Sequence, residues 1–139
     1  MRIDSHQHFW EFDPIRDSWI NNSMTKIRKD FLPEDLIGIL ASNKIDGCIA
    51  VQADQSRQET KFLLDHAAKN SFIKGVVGWV DLCDGNVKHT LEYYTKNPLF
   101  KGVRHIVQAE PKGFMLKENF QKGISKLKDF NLTYDILIY

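Results

Sequence analysis

Five short apolar runs punctuate the chain, and between them apolar positions recur at helical spacing. The runs are Arg2 to His8, Asp46 to Gln52, Lys74 to Asp81, Phe100 to Val107 and Leu132 to Tyr139. Short stretches rich in Val and Ile, bounded by polar turns, predict strands. The segments between them predict helices. Pro33-Glu-Asp-Leu places proline in a first turn, where its missing N–H costs nothing, with acids at the positive end of the helix dipole. Ser56-Arg-Gln-Glu59 has the spacing of a capping box, and Phe62, Leu63 and Ala67 follow on one face. Val87, Leu91 and Tyr94 line one face of residues 86–96, and Phe120, Ile124 and Leu127 do so over 117–130.

The resulting order, β-α-β-α-β-α-β-α-β, is that of an α/β fold whose parallel strands are joined by right-handed crossovers. No repeat, low-complexity tract or linker divides residues 1–139. Residues 9–32, between the first strand and first helix, far exceed the usual βα loop of about 2–6 residues. They carry Trp10, Arg16 and Trp19. Such a segment serves either as a binding lid or as a packing flap, and the pattern leaves both open.

Composition narrows the field. Nineteen basic and 18 acidic residues give a net charge of +1. They form no basic block, so neither nucleic acid nor an anionic membrane is an expected partner. No apolar run nears the ~18 residues of a membrane span, and MRIDSHQHFW is no signal peptide; a cytoplasmic protein is expected. Cys48 and Cys83 form no CxxC pair and read as core thiols.

His6 and His8 are the leading chemical candidates. Two residues apart on a strand, they project from one face, where two neutral imidazoles can share a divalent ion, zinc being the best match. Asp4 shares that face, either as a partner orienting an imidazole or as a structural acid. Arg104 and His105, late in the fourth strand, should face opposite sides. Arg104 is expected inside as a forked donor to a substrate oxygen, and His105 toward the helices unless the strand end twists it to the rim. Either can equally be a structural ion pair or a core histidine. Trp10, Gln52 and Trp79 are candidate substrate-binding residues; Gln52 is placed inside with Cys48 and Ala50. Asp81 lines the same pocket or caps the next turn. His66 and His89 are expected to be solvated. No glycine-rich phosphate loop or nucleophile elbow is present.

Taken in order, DSHQHFW, SWI, FLPEDL, VQADQS with ET following, GVVGWVDL, KGVRHIVQ and LTYDILIY resemble the amidohydrolase-related family of sugar lactonases and 2-pyrone-dicarboxylate lactonases. The resemblance covers essentially the whole chain. It implies a (β/α)8 TIM barrel and water attack on a lactone ring, often that of a sugar acid from fucose, rhamnose or galactose. His6 and His8 match the first-strand metal pair, and Arg104 and His105 match the strand-four Arg-His, which makes both candidate catalytic residues. Metal dependence varies within the family. Its later histidine and its strand-eight aspartate, the general base, have no counterpart in these residues.

The expected architecture is therefore the N-terminal half of such a barrel, with about five parallel strands and four helices. Two readings follow: a truncated, inactive half of a lactonase, or a non-catalytic half-barrel acting as a binding module. Strands one and five would be open edges. Val76, Val80, Ile136 and Ile138 would lack neighbours, and homo-oligomers through those edges are expected.

Overall fold

Strand β1 (Ile3–Gln7) lies beside β2 (Gly47–Val51), followed in order by β3 (Ile73–Gly78), β4 (Phe100–Arg104) and β5 (Thr133–Asp135). All four pairings are parallel. The structure, a computed structural model, describes residues 1–137. Helices α1 (Pro33–Ser42), α2 (Arg57–Lys69), α3 (Val87–Tyr94) and α4 (Glu118–Leu127) each connect one strand to the next. Five parallel strands in chain order with four crossover helices make half of a TIM barrel.

The strands stop earlier than the apolar runs do. Val80 and Leu82 follow β3 yet are fully buried, and Val107 opens a 3-10 turn (Val107–Ala109) past the end of β4. Hydrophobic burial under loops continues the apolar pattern after the ladder has ended, so the pattern overshoots the strand. Ile138 and Tyr139 lie outside the described residues.

Alternation gives the sheet two faces. Cys48, Ala50, Val76, Phe100 and Val103 join one core with Leu40 of α1, Leu63 and Ala67 of α2, Leu91 of α3 and Phe120 of α4. Cys48 and Ala50 therefore point at the helices, which corrects their expected place inside the barrel. The small side chains there make room for α1 and α2. Burial pushes the Cys48 thiol up to about 11, so it is protonated and inert at neutral pH. Val76 and Val80 are likewise buried, whereas Ile136 is 64% exposed.

Ser56 caps α2, its hydroxyl accepting from the Glu59 N–H at 3.1 Å. Only half of the expected capping box forms. The Glu59 carboxylate instead accepts from the Ala53 N–H at 3.0 Å, tying the β2–α2 loop to the helix. Burial raises its pKa, with the Ala53 N–H opposing the shift. His89 is solvated, but His66 is half-buried with its ring edge-on to Phe62, against expectation: one helical turn separates them, so the imidazole covers the phenyl ring.

Helix α4 is seated through Gly123. A β-carbon there would stand 1.9 Å from the backbone oxygen of Leu82, which no side-chain rotation can relieve. Gly123→Ala is expected to lower the melting temperature by roughly 3–12 °C, from an overpacking cost of about 1–3 kcal/mol. An unchanged thermal melt would show that α4 shifts freely.

The long segment after β1 is pinned at its base. Trp10 and Phe31 exchange backbone hydrogen bonds of 3.0 and 2.9 Å, and their rings lie 4.5 Å apart. Above this bridge, Asp13 accepts from the N–H groups of Ile15 and Arg16, and Asp17 is paired to Arg16 at 2.8 Å. The tip is thus organised by local turns, while Trp19 is exposed.

Candidate active site

His6 and His8 meet at the C-terminal end of β1. Their Nε2 atoms are 3.1 Å apart and the rings are nearly perpendicular, 4.8 Å between centroids. The His8 Nδ1–H donates to the Val51 carbonyl at 2.8 Å, which leaves its Nε2 lone pair bare and aimed at His6. Burial lowers the His8 pKa to about 4, partly opposed by the Val51 bond and helped by the charges of Arg104 and His6. His8 is therefore neutral at physiological pH.

Arg104 reaches this pair from the end of β4, three strands away in the sheet. It is 94% buried, with 6% of its surface exposed. Its Nη1 lies 3.3 Å from His6 Nε2, and Nη2 donates to the Gln52 carbonyl. Burial pulls its pKa below the usual guanidinium value, with Asp135 opposing. The His6 Nε2 can either donate to the bare His8 nitrogen or accept from Arg104, not both. In the second case two lone pairs face each other, an arrangement a cation satisfies.

Other candidates take different places. Asp4 turns to the backbone and not to an imidazole, its carboxylate accepting from the N–H of His6 at 3.1 Å. Gln52 is fully buried and spans to β4, its Nε2–H donating to the Arg104 carbonyl at 3.2 Å. Asp81 caps the following turn through the Cys83 N–H at 2.9 Å. Trp10 belongs to the base of the long segment, with its indole nitrogen buried and no partner among the described residues.

His105 does not join His6, His8 and Arg104. Its ring packs on the opposite side, stacked on Phe114 at 4.8 Å and edge-on to Phe120 at 5.8 Å. The Trp79 Nε1–H donates to His105 Nδ1 at 3.3 Å, so the Nε2–H faces Glu110 Oε1 at 2.8 Å. Glu110 and Gln55, whose Oε1 accepts the Ile106 N–H at 2.7 Å, were not legible as site residues. Gln55 lies in the VQADQS motif but without a partner to suggest its role, and Glu110 sits past a turn that no periodicity forecasts. A cavity of about 410 Å³ lined by Glu11, Arg16, Asp54 and Glu59, and one of about 750 Å³ between α2 and α3, share no residue with the histidine pair.

No family model matches the chain. An L-fucono-1,5-lactonase from Burkholderia multivorans is 34% identical over 141 aligned residues, covering all of this chain and 47% of the relative. A crystal structure of an amidohydrolase from the same species, with bound zinc, superposes with a TM-score of 0.95 at 33% identity, again over the whole chain. The chain is thus similar to lactonases and amidohydrolases along its whole length. It spans about half the length of the relatives it matches. A probable 2-pyrone-4,6-dicarboxylic acid hydrolase from Acinetobacter baumannii, 13% identical with a TM-score of 0.69, shares the fold. In TIM barrels the C-terminal strand ends carry the chemistry. His6, His8 and Arg104 occupy that rim here. No helix among the described residues is long and apolar enough to cross a membrane.

Proposed function

We propose that this chain is half of a longer protein that hydrolyses the lactone ring of a sugar acid in the cytoplasm, with L-fucono-1,5-lactone the first substrate to test. The observation that carries this reading is the convergence of His6 Nε2, His8 Nε2 and the Arg104 guanidinium at one rim of the half-barrel. The Arg104 Nε–H is also buried without a partner among the described residues, so the side chain retains a donor for an oxygen. As water adds to the lactone carbonyl, negative charge develops on its oxygen. A guanidinium held in a poorly hydrated place stabilises that charge more than water does. Charge-assisted hydrogen bonds from Arg104 would also hold the ring for attack. The group that takes the proton from water is expected outside these 139 residues.

Zinc fits the histidine pair. Two nitrogens bound to one tetrahedral ion at about 2.0–2.1 Å stand roughly 3.3 Å apart, close to the 3.1 Å between these two. The described residues contain no group of three or more His, Cys, Asp or Glu able to hold an ion, so this chain would supply His6 and His8 alone. Bound zinc polarises a carbonyl and makes water a better nucleophile. Zinc affinity, measured by competition with a chromophoric chelator, is expected to fall at least about tenfold in His6→Ala and in His8→Ala. Equal affinity in both variants and the parent would remove the pair from any metal role.

The reading is tested by screening the longer gene product against a panel of sugar-acid lactones, with and without added zinc. Turnover of at least one lactone is expected. A fully folded protein inactive on the whole panel under both conditions would reject it.

A further inference from the structure

We propose that Glu110, acting through His105, positions the Trp79 indole as a fixed wall of the barrel mouth between β3 and β4. Glu110 and His105 are then positioning residues, not participants in bond making. The inference rests on the reading above only in taking that mouth as the place where substrate binds.

The geometry runs from the turn after β4 back to the end of β3. Glu110 Oε1 lies 2.8 Å from His105 Nε2. A carboxylate only accepts, so the proton resides on Nε2 and Nδ1 is left as an acceptor. That acceptor meets the Trp79 Nε1–H at 3.3 Å. Were the tautomer reversed, two N–H groups would face each other across this gap and the indole would have to move. The carboxylate thus decides the position of a ring it does not touch.

The parts around the link are rigid. His105 is 94% buried, with one face of its ring stacked on Phe114 and Phe120 at its edge. The Trp79 N–H donates to the Thr60 hydroxyl at 2.8 Å, fixing the backbone from which the indole projects. A β-carbon at Gly78 would meet Thr60 of α2 and Phe100, so position 78 faces the helices. By alternation Trp79 starts on the inner side and only then reaches across to His105. The indole itself is half-buried. One edge is bonded to His105 at the end of β4, and we assign the exposed part to the mouth. The β4 end beside it is held independently, with Gln52 on the Arg104 carbonyl and Gln55 on the Ile106 N–H. Loss of the Glu110 link should therefore free the Trp79 ring without displacing Arg104.

The test is nuclear magnetic resonance of the full 139-residue chain labelled with ¹⁵N, following the His105 ring nitrogens and the Trp79 indole N–H. Glu110→Ala is expected to mix the His105 tautomers and to shift or broaden the Trp79 indole signal. Glu110→Gln, which keeps an accepting oxygen, should restore both. His105→Phe retains the stack on Phe114 but removes the acceptor, and should move the indole signal as Glu110→Ala does. An unmoved indole signal in His105→Phe, or in a folded Glu110→Ala, overturns the proposal. So does a Glu110→Gln that behaves like Glu110→Ala. In the longer protein, Glu110→Ala should raise KM for a turned-over lactone severalfold while kcat changes less than twofold; a fall in kcat at constant KM would count against positioning of a binding wall. The resonance readout needs no turnover, so failure of the lactonase reading and failure of this one are told apart.

Discussion

Purified by itself, the 139-residue chain is expected to open no sugar-acid lactone above background, while the longer protein turns over at least one. The chain brings a guanidinium and two imidazoles to the rim, but the general base that the resemblance implies has no counterpart among its residues. Loss of the group that activates water costs about 10²–10⁴-fold. Five strands supply only half of a barrel wall, so the lactone would stay largely hydrated, and the Arg104 field would be weakened by solvent. The β1 and β5 edges each have one strand neighbour, and Ile3 and Ile136 are exposed beside them. Sedimentation at micromolar concentration should therefore find self-association. The measurement that decides is turnover by the isolated chain at verified mass. Robust lactone hydrolysis would show that these residues suffice and that our assignment of the base to the rest of the protein is wrong.

In the longer protein, Arg104→Ala is expected to lower kcat by roughly 10²- to 10³-fold, the usual effect of removing one oxyanion donor. Arg104→Lys should recover little. A lysine carries the charge, but it cannot bond the Gln52 carbonyl and reach toward His6 with one planar fork. The loss should fall on kcat more than on KM, since the donor matters most as charge develops. Because Arg104 is buried and anchors the Gln52 backbone, its removal will also destabilise the fold, and the comparison must be made well below the variant's melting temperature. Steady-state kinetics on folded Arg104→Ala giving kcat within about threefold of the parent would exclude the guanidinium from the chemistry.

Order and orientation of the elements were legible because each strand pairs with its neighbour in sequence, so apolar period and crossover rules fix the topology without long-range information. The face of His6 and His8 followed from their spacing alone. What could not be read was decided by side chains that leave the strand direction. Alternation placed Gln52 with Cys48 and Ala50 in the barrel interior. Those two turned out to face the helices, and Gln52, beyond the strand, spans to the Arg104 carbonyl. His105 and Arg104 part as alternation requires, yet its bond to Trp79 crosses from one strand end to another and has no signature in either segment. Glu59 had the spacing of a capping box but was drawn to the Ala53 N–H, a competition between two nearby donors that spacing cannot settle.

Sheet order and chain order coincide in this molecule, and that has a bearing on how it is made. As the polypeptide leaves the ribosome, every new βα unit finds its docking neighbour already synthesised, so the scaffold can assemble vectorially with little delay from distant closures. The link between His6 and Arg104 is the exception, bridging 98 positions. The corner that joins His6 to Arg104 would thus mature after the first strands of the sheet that supports it. Pulse-labelled hydrogen exchange on stalled chains of increasing length should find β2 and β3 amides protected while Arg104 is still inside the exit tunnel; simultaneous protection of all strands only after β5 emerges would refute a sequential order.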